Sequence, residues 1–250
     1  MIHTNDGAND SQESGNEEWD LLWANYGLKD LVPLKALSIE SLANKSVAEK
    51  SALDKLETLP ILKERIGNCQ RCPLCSHRTN IVFGEGNPEA SLMFVGEAPG
   101  ADEDAKGIPF VGRAGQLLTK IIHAMGLKRE DIYIANVIKC RPPQNRAPLP
   151  TETKHCLPFL KAQIQLIKPQ IIVTLGACAT YALLDDTQTA GQSISKLRGQ
   201  FFEAMWPLAP PTQILPTFHP SYLLRNQEAK KLVWEDMKKV LSYQLSLQSI

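Results

Sequence analysis

The chain lacks any long hydrophobic run: no stretch approaches the roughly 20 consecutive apolar residues that a membrane-spanning helix requires. Its first residues, Met-Ile-His-Thr-Asn-Asp-Gly, also lack the basic start and apolar segment of an export signal. We therefore expect no membrane association and a cytoplasmic location. Six cysteines in 250 residues are too few for a secreted disulfide scaffold, and in a reducing compartment clustered thiolates more often bind metal ions or clusters.

The chain also lacks a net charge, but this balance conceals two regions of opposite sign. Residues 1–60 carry 5 Lys and 11 Asp or Glu, whereas residues 61–250 carry 22 Lys or Arg and 16 Asp or Glu. We predict an acidic N-terminal extension over residues 1–60, which is disordered as far as residue 18 and then helical until near Pro60. The positive excess of residues 61–250 suits a polyanionic partner, although it is also ordinary for a protein surface.

Residues 61–250 show apolar β-like runs that alternate with helical patterns. Strands are predicted at 91–95, 132–138, 171–175 and 213–217, and helices at 114–125, 151–167, 177–184 and 228–245. This alternation is typical of an α/β domain, and it predicts a mainly parallel, four-stranded central sheet. Because ligands of such sheets bind beyond the carboxyl ends of the strands, we expect the functional residues in the turns that follow them.

Three of these turns carry distinctive motifs: Gly-Glu-Ala-Pro-Gly at 96–100, Asn-Val-Ile-Lys-Cys-Arg-Pro-Pro at 136–143 and His-Pro-Ser-Tyr-Leu-Leu-Arg at 219–225. A fourth motif, Ile-Pro-Phe-Val-Gly, lies at 108–112. Over about residues 66–245 the chain resembles the iron–sulfur uracil-DNA glycosylases, family 4 of the uracil-glycosylase superfamily, with all motifs in order. The resemblance implies a three-layer α/β/α sandwich that hydrolyses the bond between uracil and deoxyribose in DNA and leaves an abasic site.

The resemblance places the 96–103 segment beside the reacting sugar. Small residues at Gly96, Ala98 and Gly100 let backbone amides approach the substrate, and the acids Glu97 and Glu103 supply acceptors there. In the family, acids of this segment position water or stabilise positive charge. Ala98 stands where better-known uracil glycosylases place an aspartate that orients water, so it cannot have that role. The sequence leaves open which acid acts.

Three further residues are unremarkable when taken alone: Phe110 would be core, Asn136 a turn cap and His219 a loop histidine. By resemblance, Phe110 stacks on the extruded pyrimidine and Asn136 pairs with uracil O4 and N3–H. His219, as a neutral imidazole, donates to O2 as the leaving base becomes anionic.

The rest of the histidine motif is expected to contact DNA. Ser221 and Arg225 suit the phosphate backbone, and Leu223 or Leu224 suits the space that a flipped base leaves in the duplex.

Four cysteines are predicted to hold a cofactor: Cys69, Cys72, Cys140 and Cys156. Their spacing alone suits structural zinc as well as an iron–sulfur cluster. The resemblance implies a four-iron four-sulfur cluster with a structural task, since hydrolysis needs no electron. Cys75 is expected to be a spare or substitute ligand, and Cys178 a buried core residue.

Alternative functions stay open at this point. A non-catalytic, metal-stabilised DNA-binding module would keep the cysteines, and a replication-associated domain could keep the fold and lose activity. A relative that captures uracil-DNA covalently carries a basic insertion before the histidine motif, which this sequence lacks. The matched motifs contain no lysine at a Schiff-base position, so we expect a monofunctional hydrolase. We expect a monomer that binds single- or double-stranded uracil-containing DNA, is nucleoid-associated when on DNA, and could contact a replication or repair protein through residues 1–60.

Overall fold

The computed structural model describes residues 58–184, 186–207 and 209–247. The predicted acidic extension lies outside the described residues as far as residue 57. The described chain starts with helix α1, Leu59–Ile66, where the Thr58 hydroxyl caps the helix by accepting a hydrogen bond from the Ile61 N–H. The sequence predicted that helical structure ends near Pro60. A helix begins there instead, because proline lacks only a backbone N–H that the first turn does not need.

Contacts divide the chain into two units, Met1–Gly67 and Asn68–Ile250, and all elements described below belong to the second unit. Six strands form one sheet: β1 Glu85–Gly86, β2 Leu92–Gly96, β3 Tyr133–Asn136, β4 Ile171–Leu175, β5 Phe202–Trp206 and β6 Ala209–Thr217. Their order is β1-β3-β2-β4-β6-β5. The four central strands are parallel, and β1 and β5 pair antiparallel at the two edges. The predicted α/β class is confirmed, whereas the predicted count of four strands is wrong.

The two edge strands have weak sequence signals. β1 contains only two residues. In β5 only Ala204 and Trp206 are buried, so the strand shows no continuous apolar run. Pro210 and Pro211 conceal the start of β6, which begins at Ala209 rather than at 213. The four parallel strands were predictable because their apolar runs are continuous, as expected where both faces of a strand are buried.

Eight helices accompany the sheet in the described part of the second unit: α2 Ala101–Lys106, α3 Arg113–Ala124, α4 Pro150–Ile167, α5 Ala177–Leu183, α6 Asp186–Thr189, α7 Ile194–Leu197, α8 Pro220–Leu223 and α9 Ala229–Leu247. The helices predicted from the sequence correspond to α3, α4, α5 and α9. Short 3-10 turns occupy Pro73–Ser76, Arg129–Asp131 and Pro143–Asn145. None of the described helices is both long and apolar enough to cross a membrane.

The central strands are buried on both faces. Every residue of β2, β3 and β4 is buried, and alternate side chains of a strand point to opposite faces. On one face Phe94, Val173 and Leu215 join an apolar cluster with Leu118 of α3 and Val233 of α9. This packing fixes the carboxyl ends of the four parallel strands side by side, and the loops that follow them meet there.

Candidate active site

A cavity of about 540 Å³ lies at the carboxyl ends of the four parallel strands. Eight of the predicted site residues line it: Glu97, Ala98, Gly100, Glu103, Phe110, Asn136, His219 and Ser221. Gly96 lies directly behind this wall, where an added Cβ would meet both Phe110 and Asn136. Arg225 is exposed and is not among the lining residues. The sheet thus brings together residues that are more than a hundred positions apart in the sequence.

The backbone holds Phe110 in a left-handed conformation with φ of 54°, which is uncommon for a residue with a side chain. Arg129 fixes this turn by donating hydrogen bonds to the carbonyl oxygens of Pro109 at 2.8 Å and of Phe110 at 3.1 Å. Gly115 leaves the necessary space, since an added Cβ would lie 2.0 Å from the Phe110 carbonyl oxygen. The Phe110 ring lies against the His219 ring, with centroids 5.8 Å apart. Held in this way, the ring forms one wall of the cavity.

Glu103 ties two loops of the cavity together. Its Oε2 accepts a hydrogen bond from the Gly100 N–H at 3.1 Å, and its Oε1 accepts from the Val111 and Gly112 N–H groups at 2.9 and 2.8 Å. Both carboxylate oxygens are therefore engaged by backbone donors. The turn after β2 and the segment that carries Phe110 are held in one arrangement as a result.

Asn136 ends β3 and is 1% exposed. Its side-chain Oδ1 has no hydrogen-bond partner among the described residues, and a buried polar atom left unpaired costs about 1–3 kcal/mol. Its backbone is well anchored, because the buried Lys139 ammonium donates to the Asn136 carbonyl at 2.8 Å and to Gln163 Oε1 at 2.6 Å. Asn136 therefore presents a fixed amide to the cavity, and its oxygen is ready to accept from a ligand N–H.

The structure defines the protonation state of His219. Its Nδ1 accepts a hydrogen bond from the Ser221 backbone N–H at 3.1 Å and lies 2.8 Å from the Ser221 hydroxyl. Burial lowers the pKa of His219 to about 4, although the Glu103 carboxylate opposes this effect. The imidazole is consequently neutral at pH 7, with its proton on Nε2. A neutral ring of this tautomer has its N–H donor at Nε2.

Glu97 follows β2 and is half-buried in the cavity wall. Burial raises the pKa of its carboxyl above the usual value, and no hydrogen bond from the described residues opposes this shift. Cys178 also lines the cavity and is only partly buried, so the prediction that it is a core residue is wrong. Burial, and to a smaller extent the charge of Glu97, raise the pKa of the Cys178 thiol to about 12. Of the predicted pair of acids, Glu97 is therefore the one whose carboxylate accepts no hydrogen bond from the described part of the chain.

The remainder of the histidine motif separates into different environments. Ser221 is engaged with His219, and Arg225 is exposed. Leu223 is 1% exposed and belongs to the apolar cluster on the sheet, so it cannot enter DNA without disrupting the core. Leu224 is partly exposed. Of the two leucines considered from the sequence, Leu224 is the one with a surface open to solvent.

The sequence did not indicate one part of the cavity wall. The residues missed include Arg113, Asn145 and Arg146. Arg146 donates to both oxygens of the buried Glu152 carboxylate, at 2.6 and 2.9 Å, and so fixes the loop after Cys140 against α4. This contact joins an irregular loop to the start of a helix, and hydrophobic periodicity gives no signal for the loop. The Pro-Pro pair after Cys140 was the only indication of an ordered turn there.

The four predicted ligand thiols, two at the start of the second unit and two around the loop after β3, lie close enough for electrostatic interaction among Cys69, Cys72, Cys140 and Cys156. None of the described cysteines forms a disulfide. Two of the sulfur atoms accept hydrogen bonds: Cys140 from the Arg78 guanidinium at 3.3 Å, and Cys156 from the Lys139 backbone N–H at 3.2 Å. Cys75 lies beside them in the turn Pro73–Ser76 and interacts with Cys72.

The chemistry of this donor set fits an iron–sulfur cluster, which is held by four thiolates and tuned by hydrogen bonds to sulfur. Burial raises the pKa of the Cys156 thiol to about 12 and also raises the pKa values of Cys72 and Cys140. Thiols in such surroundings become thiolates when they bind a metal centre. Within the described ranges, no three Cys, His, Asp or Glu side chains form a group that could hold a single metal ion.

Comparisons with known proteins show the family to which the chain belongs. The family model of the uracil DNA glycosylase superfamily matches residues 83–238. A type-4 uracil-DNA glycosylase of Thermotoga maritima is 48% identical over 75% of this chain and 95% of its own length. Another, from Saccharolobus solfataricus, is 43% identical over 74% of this chain and 86% of its own length. A type-5 uracil-DNA glycosylase of Pyrobaculum aerophilum is 29% identical over 71% and 88%, respectively.

The superfamily match covers more than half of the chain and includes the motif residues of the cavity. The similarity to the two type-4 enzymes is greater than the similarity to the type-5 enzyme. The chain belongs to the type-4 uracil-DNA glycosylases. This confirms the family resemblance that the four motifs indicated.

Proposed function

We propose that this protein acts in base excision repair by hydrolysing the N-glycosidic bond of deoxyuridine in DNA, releasing uracil and leaving an abasic site. One observation carries the proposal: the buried Oδ1 of Asn136 has no partner among the described residues and lines a cavity at the ends of the parallel strands. A uracil N3–H would satisfy this oxygen, and the amide N–H of Asn136 would satisfy uracil O4. Cytosine presents the reverse pattern, so it would leave the asparagine unpaired.

The cavity also supplies a face for the base. A uracil in a duplex must be extruded before a protein can reach its glycosidic bond, and extrusion costs stacking energy. The buried ring of Phe110 offers a flat apolar surface that replaces part of this stacking. The hydrogen bonds from Arg129 hold that surface in place while the base enters.

Bond cleavage moves electrons from the glycosidic bond onto the uracil ring, where the negative charge is shared by O2. His219 donates from Nε2 to this oxygen and stabilises the charge as it develops. The sugar becomes cationic, and the Glu97 carboxylate stabilises it or orients the attacking water. Glu103 contributes by holding together the turn that carries Glu97 and the segment that carries Phe110.

The reaction ends with water, so the protein is a monofunctional hydrolase. A lyase needs an amine that attacks the sugar. No lysine is among the described residues that line the cavity. The nearby Lys139 is fully buried and donates to Asn136 and Gln163, away from any substrate.

The four thiols Cys69, Cys72, Cys140 and Cys156 would hold a four-iron four-sulfur cluster. When bound, the cluster supplies a covalent tie between the segment around Cys69 and the loop after Cys140, and it supplies no electron to hydrolysis. That loop continues into the cavity wall, so the residues around Arg146 depend on it.

The remaining parts of the proposal concern binding. A monomer in the cytoplasm would hold single- or double-stranded DNA through exposed basic side chains such as Arg225 and through the Ser221 turn. Residues 1–60 would serve as a separate acidic extension for a replication or repair protein. Residues 61–250 would form the three-layer catalytic domain.

Uracil release from a labelled oligonucleotide tests the proposal, with wild type compared with Asn136→Ala. We expect the wild type to release uracil and the variant to lose at least about 100-fold in rate. The matched control is Asn87→Ala, because Asn87 follows β1 and does not line the cavity. A wild-type protein that binds DNA and releases no base would overturn the proposal and favour the DNA-binding module.

A further inference from the structure

A buried carboxylate on the C-terminal helix lies at the centre of a hydrogen-bond network outside the cavity. Asp236 of α9 is 1% exposed, and its Oδ2 accepts a 2.6 Å hydrogen bond from the Thr217 hydroxyl. Arg198 donates to both carboxylate oxygens, at 2.7 Å to Oδ1 and at 3.1 Å to Oδ2. None of these three residues lines the cavity. Their contacts join α9 and the end of α7 to the end of β6.

The network ends two residues before His219. Thr217 is the last residue of β6, and its carbonyl accepts a 2.9 Å hydrogen bond from the Gly176 N–H at the end of β4. The Arg198 guanidinium lies over the ring of Phe218, 5.6 Å from its centroid. The point where the chain leaves the sheet and turns into the histidine motif is therefore held by side chains from outside the motif.

A second set of contacts reinforces the same point. The Lys239 ammonium on α9 donates to the Gly199 carbonyl at 2.6 Å, and the Gly199 N–H donates to the Pro216 carbonyl at 2.8 Å. Gly199 has φ of 69°, and an added Cβ there would lie 2.3 Å from Asp236 Oδ1. The packing around the carboxylate is close, so a small change at Asp236 is transmitted to β6.

The hydrogen bonds between Ser221 and His219 cannot do this task. The Ser221 N–H and hydroxyl orient the imidazole only relative to its own turn, since Ser221 is two residues away on the same backbone. The position of that turn relative to Asn136 and Phe110 depends on how the end of β6 is anchored. A displacement of about 1 Å at a reacting group can cost about 100-fold in rate.

We infer that Thr217, Asp236 and Arg198 form a positioning clamp, which sets the place of His219 relative to the bound base. This inference rests on the proposed function, in which His219 donates to the leaving uracil. The three residues touch no substrate and are positioning residues. Their effect on the reaction passes through His219 alone.

Steady-state uracil release by Thr217→Val, Thr217→Ser and Asp236→Asn tests the clamp. Valine keeps the shape of threonine and removes the hydroxyl, whereas serine keeps the hydroxyl. We expect Thr217→Val to lower kcat about tenfold with KM unchanged, because only the interaction in the transition state is weakened. Thr217→Ser should restore most of the rate. Asp236→Asn keeps an acceptor for Thr217 and loses the charge toward Arg198. Its kcat should therefore lie between the values of Thr217→Val and Thr217→Ser.

The matched control is Thr212→Val on the same strand. Thr212 is also fully buried, and its hydroxyl donates to the Pro169 carbonyl at 3.0 Å, at the other end of β6. The two valine variants should lose similar stability in thermal melts, but only Thr217→Val should lose rate. In a His219→Ala background, Thr217→Val should change the rate less than about twofold, since its effect passes through the missing imidazole.

A readout independent of activity separates this inference from the proposed function. The ring nitrogen signals of His219 in ¹⁵N NMR report its hydrogen bond to Ser221 and its surroundings. We expect them to shift in Thr217→Val and to stay unchanged in Thr212→Val. An active wild type with equal rates and equal His219 signals in the two valine variants would overturn the clamp alone. An inactive wild type would overturn the proposed function, and the NMR comparison would still decide about the clamp.

Discussion

Gly96→Ala is the smallest change that should disturb both base-contacting residues at once. An alanine Cβ at this position would lie 2.4 Å from Phe110 Cζ and 2.5 Å from Asn136 Oδ1. Ordinary contacts begin near 3.4 Å, so each group must move by about 1 Å. The Phe110 ring cannot yield easily, because Arg129 and Gly115 fix its backbone. The packing behind the cavity thus requires a glycine at this position.

A displacement of about 1 Å at groups that align a substrate can cost about 100-fold in rate, or about 2.7 kcal/mol of transition-state stabilisation. We therefore expect kcat/KM for uracil release by Gly96→Ala to fall about 100-fold. Overpacking of the buried position should also lower the free energy of unfolding by about 1–3 kcal/mol. Single-turnover assays on a uracil oligonucleotide and denaturant titrations measure the two effects separately.

Gly126→Ala provides the control for backbone strain. Gly126 has φ of 79°, which strains an alanine, but no atom lies within 4 Å of the added Cβ and the residue does not line the cavity. It should lose stability and keep its rate. Wild-type kcat/KM in Gly96→Ala would refute the reasoning, since it would show that Phe110 and Asn136 need not hold their observed positions.

Three further predictions concern other parts of the site. Burial raises the pKa of Glu97 above its ordinary value of 4.5. As the pH is lowered, protonation of this carboxylate should therefore begin to reduce wild-type kcat/KM while the pH is still above 4.5. Glu97→Gln should be slow and should not show this loss at acid pH; a variant that keeps the same loss would contradict the role. Cys156→Ser should lose the visible absorbance of the cluster and should unfold at a lower temperature, whereas Cys75→Ser should keep both properties. Equal losses in the two variants would make Cys75 a ligand. Leu223→Ala should lower the free energy of unfolding by about 2–5 kcal/mol. Leu224→Ala should instead slow uracil release, and only from duplex DNA. Equal free energies of unfolding and equal rates of uracil release in the two variants would contradict the placement of these leucines.

The sequence predicted that chain segments at the carboxyl ends of the strands meet, for a physical reason. Asn136 ends a parallel strand and His219 follows one, and parallel strands bring such positions together. The roles of Phe110, Asn136 and His219 came from the resemblance of the motifs to a known family, because each residue alone is unremarkable. The four apolar runs of the parallel strands were equally clear, because both faces of these strands are buried.

Other features depend on contacts that no local pattern encodes. The hydrogen bonds of Glu103 to Val111 and Gly112 cross from one loop to the next, and they separate its role from that of Glu97. The contact between Thr217 and Asp236 joins a strand to a helix across an intervening turn. Such pairs are distant in the sequence, so they can be identified only from the folded structure. The edge strands also could not be predicted, because they lack a continuous apolar run.

A crystal structure of the protein with DNA that carries a non-cleavable 2′-fluoro-deoxyuridine would test the central claim most directly. The account predicts that the uracil N3–H lies about 3 Å from Asn136 Oδ1, that the ring stacks on Phe110, and that O2 faces His219 Nε2. A uracil that leaves Asn136 Oδ1 without a partner, or that binds outside this cavity, would contradict it.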